Sequence, residues 1–428
     1  MHPFMSVALA VGIAWAVPTA AAAAQRTSAS VAANPAHLTP AEAVARALEV
    51  SPRVASAVAR LRATEGELTQ AGALPNPELG VEVENFGGSG TVRGFRSAET
   101  TLGLSQPVEL GGKRAARINA ARASQRAAEH DLAAVRLDLS REVRVAFTEA
   151  VAATEEVRLA EERVRLAREV ERSVIARVEA GREPPLQSNR SQIARRQAEV
   201  DLEGTRRRAG VARRQLTRLV GPESAALDLD TTWFARVDTL PLQIPEDALP
   251  VGTPDLLRRE ADVLRGRAEL EVERRRAIPD VTVSAGVRRF RESDDTAFIA
   301  GVSIPIPVFN RNRGAIASAG ARMAGAESDL AAERLELSGR LGAVRARLLT
   351  AQDNAIALKE SIVPTAERAF TIATEGYRQG KFSYLEVLDA QRTLFDARRD
   401  LTSALATYHD TTAELDRLTR TAVDGVEK

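Results

Sequence analysis

Between Lys113 and Ala180 the chain contains no proline and only helix-compatible residues. Leu132, Val135, Leu139, Val143, Phe147 and Val151 keep three- and four-residue spacing, the apolar stripe of one helix face. At 1.5 Å per residue such a helix is roughly 100 Å long. An ordinary globular helix has about three turns, so no compact domain can enclose this one. Gly181 to Pro185 breaks the run, a second helix reaches about Val220, and Gly221-Pro222 stops it. Two long helices joined by a tight turn form a helical hairpin.

The plan occurs twice. A first helix starts after Thr39, with Pro40 at its first position and Glu42 in the capping-box place, and continues past Pro52 to about Ala73. Leu79, Val81 and Val83 then alternate with Glu78, Glu82 and Glu84, which predicts a strand. Gly87 to Gly90 is a loop, and a second alternating run through Leu102 and Leu104 ends at Pro107. After the long hairpin comes a proline-rich stretch (Pro241, Pro245, Pro250) and a helix from about Pro254 to Ala277. Val281 to Arg288 and Phe298 to Ile304 alternate again, around a polar loop Arg291 to Thr296. A second long helix is expected from about Gly314 to Gln379, uninterrupted, with a coiled-coil seam of Leu337, Leu341, Val344, Leu348, Ala351, Ala355, Leu358 and Ile362. Gly380 breaks it before a last helix. Gly181, Leu186, Gln192 and Leu202 match Gly380, Leu385, Gln391 and Leu401 at one constant offset, so the two halves read as a duplication.

The fold class is therefore mainly α with a small β part: long coiled-coil helical hairpins plus four strands. The expected organisation is a leader at 1–24, a first repeat at 38–223, an irregular proline-rich segment at 224–253, a second repeat at 254–420 and a tail at 421–428. The leader is apolar and ends in alanines with Ala22 to Ala24 as cleavage site, although its start carries His2 and no lysine or arginine; an uncleaved anchor is the competing reading. No later run of about 18 apolar residues exists, so no membrane-crossing helix is expected.

Composition excludes several functions. With no cysteine there is no disulfide, thiol nucleophile, thiolate metal site or lipidated cysteine. A net charge of +1 supplies no basic field for nucleic acid. His2, His37, His130 and His409 lack metal-ligand spacing, and no phosphate loop, dinucleotide fingerprint or nucleophile elbow occurs. No metal site, no cofactor and no enzyme chemistry is expected.

Each strand has an apolar and a polar face and a length suited to a membrane β-barrel. Four strands cannot close a barrel in lipid, so several chains must contribute, and three copies would give twelve strands. Glu82 and Glu84 would then line the water-filled lumen. Two soluble hairpins packed on helices, or a helical bundle with no pore, fit the pattern as well.

Particular residues add a resemblance. Asn76-Pro77-Glu78, the stretch Ser105-Gln106-Pro107-Val108-Glu109-Leu110-Gly111-Gly112-Lys113-Arg114 and the stretch from Tyr377 to Gln391 (Tyr-Arg-Gln-Gly-Lys-Phe-Ser-Tyr-Leu-Glu-Val-Leu-Asp-Ala-Gln) resemble the outer-membrane factor, or TolC, family. The Glu-Leu-Gly-Gly-Lys-Arg form, with Val81 to Phe86 before it, is similar to the heavy-metal branch typified by the cobalt-zinc-cadmium channel. The resemblance implies a homotrimer in outer-membrane lipid, with a twelve-stranded barrel and an α-helical tunnel reaching into the periplasm. It implies a periplasmic adaptor and an inner-membrane proton-driven transporter as partners in a tripartite pump. The turns at Gly181 to Leu186 and Gly380 to Leu385 would meet the adaptor. Glu386 and Asp389 match the acidic rings that narrow this end, and Tyr377 and Arg378 match inter-protomer contacts; a solvated helix face and ordinary helix-end packing are the competing readings. Phe382 stands where some relatives carry a latching arginine. The expected function is a passive exit duct for heavy-metal cations. A periplasmic coiled-coil scaffold or adaptor, or a channel for drug efflux or type I protein secretion, is the alternative.

Overall fold

The computed structural model describes residues 37–226, 228–238 and 252–420. The expected leader at 1–24, residues 239–251 of the proline-rich segment and the tail at 421–428 lie outside the described residues.

A two-residue strand β1 (His37–Leu38) leads into α1 (Pro40–Val50). Thr39 caps α1 as its residue type predicts: its hydroxyl accepts from the Glu42 N–H, and its own N–H donates to Glu42 Oε2 at 3.0 Å. Then follow α2 (Pro52–Ala71), β2 (Glu78–Glu84), β3 (Glu99–Val108), α3 (Lys113–Glu179) and α4 (Pro185–Val220). A second two-residue strand, β4 (Asp228–Leu229), pairs in parallel with β1. The second half runs through α5 (Pro254–Arg276), β5 (Val281–Phe290), β6 (Thr296–Ser303), α6 (Arg313–Ala357), a π turn (Leu358–Ile362), α7 (Val363–Arg378) and α8 (Tyr384–Thr419).

The helices pack along α3, which lies against α1, α2, α4, α5 and α8, while α6 and α7 complete the second half against α8. The main core gathers Leu38, Ala43, Val143, Phe147, Val151, Leu216 and Leu405, with Trp233 beside it. Phe147 is fully buried there, and truncating such a ring to alanine costs about 3–5 kcal/mol.

Three expectations are corrected. The second long helix is interrupted: Pro364 lacks an N–H, its ring excludes the carbonyl four residues earlier, and the chain widens into the π turn just before it. One extra residue in that turn rotates everything after it by about 100°. The seam accordingly holds from Leu337 to Ala355 but fails at Ile362, which is 47% exposed, and Val363, Ala366 and Ala373 take the buried face instead. Pro107 does not end its strand, because β2 reaches only as far as Ser105 on β3; beyond it β3 has a neighbour on one side alone, where proline is tolerated. Thr296 belongs to β6 and not to the loop.

The four longer strands also form one antiparallel sheet, in the order β2-β3-β5-β6, and not two separate hairpins. Ten residue pairs join β3 to β5, from Glu99 opposite Phe290 to Val108 opposite Val281. Both outer strands, β2 and β6, keep an unpaired edge.

Candidate functional site

The sheet sorts its side chains by parity. Leu79, Val81 and Val83 stand beside Leu104, Leu102 and Thr100; these face Ala285, Val287 and Arg289, and then Ala300, Phe298 and Thr296. The apolar members form a continuous exposed surface: Phe298 is 90%, Leu79 72% and Val302 69% exposed. No part of the chain covers this face among the described residues, and such a large apolar surface marks a lipid or partner contact.

The opposite face is polar. Arg288 on β5 reaches across two strands: one guanidinium nitrogen lies 2.7 Å from Glu84 on β2, another 3.0 Å from Glu99 on β3, and Nε donates to Thr101 Oγ1 at 2.9 Å. Asn85 also donates to Glu99 at 3.1 Å. Of the two expected lumen acids, Glu84 is thus matched by an arginine, while Glu82 stands exposed opposite Thr101. Sequence reasoning missed Arg288, because its alternation gave a face but not a neighbour.

At the far end of α3, about 100 Å from the sheet, the two turns share one backbone. Gly181 and Gly380 both have positive φ (66° and 77°), the left-handed conformation that glycine adopts without a Cβ penalty. Arg182 N–H donates to the Arg177 carbonyl at 2.8 Å, and Lys381 N–H to the Gly376 carbonyl at 2.8 Å, the same helix-ending bond in each repeat. The side chains differ. In the first turn Arg177 lies 3.7 Å from Glu183. In the second, the Phe382 ring lies so close over Gly376 that any Cβ there would overlap it. Arg177 also ties the turns together, donating to the Tyr377 carbonyl at 2.9 Å with its guanidinium 4.6 Å from the centre of the Tyr377 ring.

The residues singled out from sequence fall into distinct settings here. Leu186 and Leu385 are exposed at the starts of α4 and α8. Tyr377 is buried against Tyr384, their rings 6.2 Å apart, whereas Arg378 is exposed with Glu375 3.8 Å away. Burial pushes the Tyr384 hydroxyl up to about 12 and raises that of Tyr377 as well. Glu386 acts within its own helix, where it accepts from the Ser383 N–H at 2.6 Å and completes the capping box of α8. Asp389, one turn further on, is exposed.

Midway along the helices a polar group is buried where the repeats meet. His409 Nε2 donates to the Phe234 carbonyl at 2.9 Å, and its ring lies 4.5 Å from Trp233. Burial lowers its basicity below the ordinary imidazole value. Asp410 is pushed up to about 7, first by burial and then by Glu149, with Arg141 acting in the opposite sense. Arg417 makes two bonds to Asp255 (2.8 and 3.1 Å) and one to Asp138 (2.6 Å), joining α8 to α5 and α3. Among the described residues no group of three or more His, Cys, Asp or Glu is placed to hold a metal ion. No helix among them is long and apolar enough to cross a membrane.

Residues 43–222 and 247–419 match the outer membrane efflux protein family. The chain belongs to that family. It is 34% identical over 377 residues to the cobalt-zinc-cadmium resistance protein CzcC of Cupriavidus metallidurans, covering 85% of this chain and 86% of that protein. It is 31% identical to the nickel and cobalt resistance protein CnrC of the same organism, covering 68% and 69%. The fold is similar to that of the outer membrane protein VceC from Vibrio cholerae, with a TM-score of 0.73, 22% identity, and coverage of 89% of this chain and 96% of VceC. CusC gives a TM-score of 0.73 at 19% identity, with coverage of 89% and 92%.

This chain is therefore an outer-membrane component of an efflux system and not an enzyme.

Proposed function

We propose that this chain is the outer-membrane duct of a tripartite pump that exports heavy-metal cations. In this reading it works as a homotrimer whose three sheets close a twelve-stranded barrel in lipid. An inner-membrane proton-driven transporter supplies the energy, and a periplasmic adaptor docks at the turns around Gly181, Leu186, Gly380 and Leu385. The observation that carries the reading is the sheet itself: its apolar face is exposed over four strands, and both its edges are open. Open edges are not tolerated in lipid, so sister copies must complete the ladder. A soluble scaffold has no use for such a face.

Cations are favoured over other cargo by the relatives' named metals and by the acidic groups on the path. Glu82 faces the lumen uncompensated, whereas Glu84 is held by Arg288. At the periplasmic end Asp389 is the stronger of the two gate acids, since Glu386 already serves as a helix cap. Three copies of Asp389 near one axis would attract cations and resist full closure. Tyr377, being buried, supports the turn from within, and Arg378, exposed beside Glu375, is the one of the pair on the surface that a neighbouring copy would meet.

A strain lacking this gene tests the substrate. Loss of tolerance to cobalt, zinc, cadmium, copper or silver, with detergent and dye tolerance intact, is the expected result. Intact metal tolerance with lost drug tolerance overturns the metal assignment in favour of drug efflux. Relatives named for pyoverdine export, at 27% identity, make that comparison worth running. A mature product that stays monomeric and soluble without detergent sinks the channel.

A further inference from the structure

The apolar face of the sheet stops short of its hairpin end. Read in rows across the four strands, Leu79, Leu104, Ala285 and Ala300 form one row, and Val81, Leu102, Val287 and Phe298 form the next. The row after that is Val83, Thr100, Arg289 and Thr296, and it is the last on this face. It lies away from the helices, because β2 follows α2 and β3 leads into α3 at the opposite end of the sheet. Three of its four members are polar, and all four are exposed.

Arg289 is the charged member of that row. Its neighbour Arg288 turns to the other face and is held there by Glu84 and Glu99. Arg289 turns to the apolar face, and its ion pair is with Asp294 in the turn between β5 and β6, 2.5 Å from one terminal nitrogen. The two side chains are 67% and 77% exposed. A pair so exposed contributes little to stability. It engages one nitrogen of a guanidinium that has five N–H donors, arranged in a fork that suits phosphate.

Position gives this arginine its meaning. A cation on the lipid side of a barrel is costly at the middle of the bilayer and nearly free at its boundary. Arg289 stands where the apolar rows end, one row beyond Phe298, and an aromatic ring at that depth suits the interface. The loop from β2 to β3 adds to the positive field. Residues 85–98 include no acid, and their two arginines, Arg93 and Arg96, are exposed without an ion pair among the described residues. The Ala98 carbonyl accepts from the Arg291 N–H at 3.0 Å, which ties this loop to the end of β5 beside Arg289. The acids nearby, Glu292, Asp294 and Asp295, lie in the turn beyond the row.

We propose that Arg289 binds a phosphate group of a lipid headgroup in the outer leaflet, with Arg93 and Arg96 raising the local positive potential. Asp294 competes with that phosphate for the same guanidinium. This inference rests on the lipid-facing reading of the sheet and names the headgroup chemistry at its outer rim.

Fluorescence anisotropy tests it on the full-length protein in neutral detergent, with labelled lipid A carrying both phosphates as the probe. Arg289→Gln is expected to weaken binding about fivefold, and Asp294→Asn to tighten it. A turn pair with a structural role alone would make the two variants alike, both weaker or both unchanged, and either result overturns the proposal. Dephosphorylated lipid A should bind the native protein as weakly as the phosphorylated lipid binds Arg289→Gln; equal affinity of the native protein for both lipids also overturns it. Millimolar inorganic phosphate should leave the lipid bound, and full displacement would make this a site for free phosphate. Arg207→Gln on α4 removes the same charge far from the sheet and should bind as the native protein does, whereas a matching loss would reduce the effect to net charge. Heat-modifiable migration confirms that each variant keeps its fold. A native protein that binds neither lipid and stays dissolved without detergent overturns the lipid-facing reading of the sheet as well.

Discussion

Helices α4 and α8 are the same element placed twice: each has 36 residues, each follows the same glycine turn, and their ends correspond at an offset of 199. Their environments are opposite. α4 lies against α3 and α1, buries 6 residues and carries nine arginines along its open sides. α8 lies between α3, α6 and α7, buries 14 residues and carries four arginines. Where α4 has Ala209, Gly210 and Val211, α8 has Tyr408, His409 and Asp410. A duplicated backbone has thus been given an outer copy, free to be charged, and an inner copy, in which every polar group needs a partner.

That difference breaks most sharply at the arginines near the helix ends. Arg417→Ala strips Asp255 and Asp138 of their buried partner and should cost about 3–5 kcal/mol in a denaturant titration. Arg218→Ala, at the matching exposed position of α4, should change stability by less than about 0.5 kcal/mol. Equal costs would mean that burial does not separate the two helices. Burial pushes the Asp255 carboxyl up, but Arg417, assisted by Arg258 and Arg340, outweighs it and holds the group below its ordinary value. The Arg417–Asp255 contribution is therefore full above the unfolded carboxyl pKa and is lost as pH falls through the lower folded value. The gap between the two variants should narrow in acid.

Asp410→Asn acts in the other direction. Asp410 is raised to about 7, so the fold favours its protonated form. Its effect on stability is neutral below the unfolded pKa near 3.8 and unfavourable as pH rises toward 7. At pH 8 the asparagine variant should gain about 2 kcal/mol, discounted for partial solvation, and at pH 4 almost nothing. Val211→Asn on α4 should show no such pH dependence in thermal melts.

The turns come next. Gly376→Ala meets the Phe382 ring and should cost about 1–2 kcal/mol, recovered in part by Phe382→Ala. Its counterpart Arg177 already carries a side chain and pairs with Glu183 instead. Gly181→Ala and Gly380→Ala should each cost about 1 kcal/mol, because both keep the same left-handed backbone.

The smallest effect is invisible at neutral pH. All three tyrosines, Tyr377, Tyr384 and Tyr408, lie in the second repeat and are raised above the ordinary phenol value by burial. Near-ultraviolet absorbance should show no phenolate forming at the usual pH of about 10. For Tyr384, stability should fall between about pH 10 and 12, as the unfolded state ionises first. A normal titration would place that phenol in water.

Much of this architecture was legible in the residues. The Thr39 and Glu42 cap, the glycine breaks at 181, 221 and 380, and the alternation from Glu78 and Val281 all state local preferences, and the structure follows them. The π turn could have been found at Pro364, since a proline inside a coiled-coil seam forces either a kink or an extra residue. Arg177, Arg288 and Arg417 could not be singled out, because in a chain with 55 arginines nothing local distinguishes a buried one.

By itself, then, the sequence determined where the capped and glycine-ended helices begin and stop, which side of each strand is apolar, and that the plan is duplicated. These follow from short-range forces: backbone sterics, capping and the period of hydrophobic residues. Tertiary structure alone decided that β3 joins β5, that α8 and not α4 is enclosed, and which arginines meet which carboxylates. Those outcomes depend on packing between segments more than 100 residues apart, such as Arg417 on Asp138, and on which surfaces are already taken.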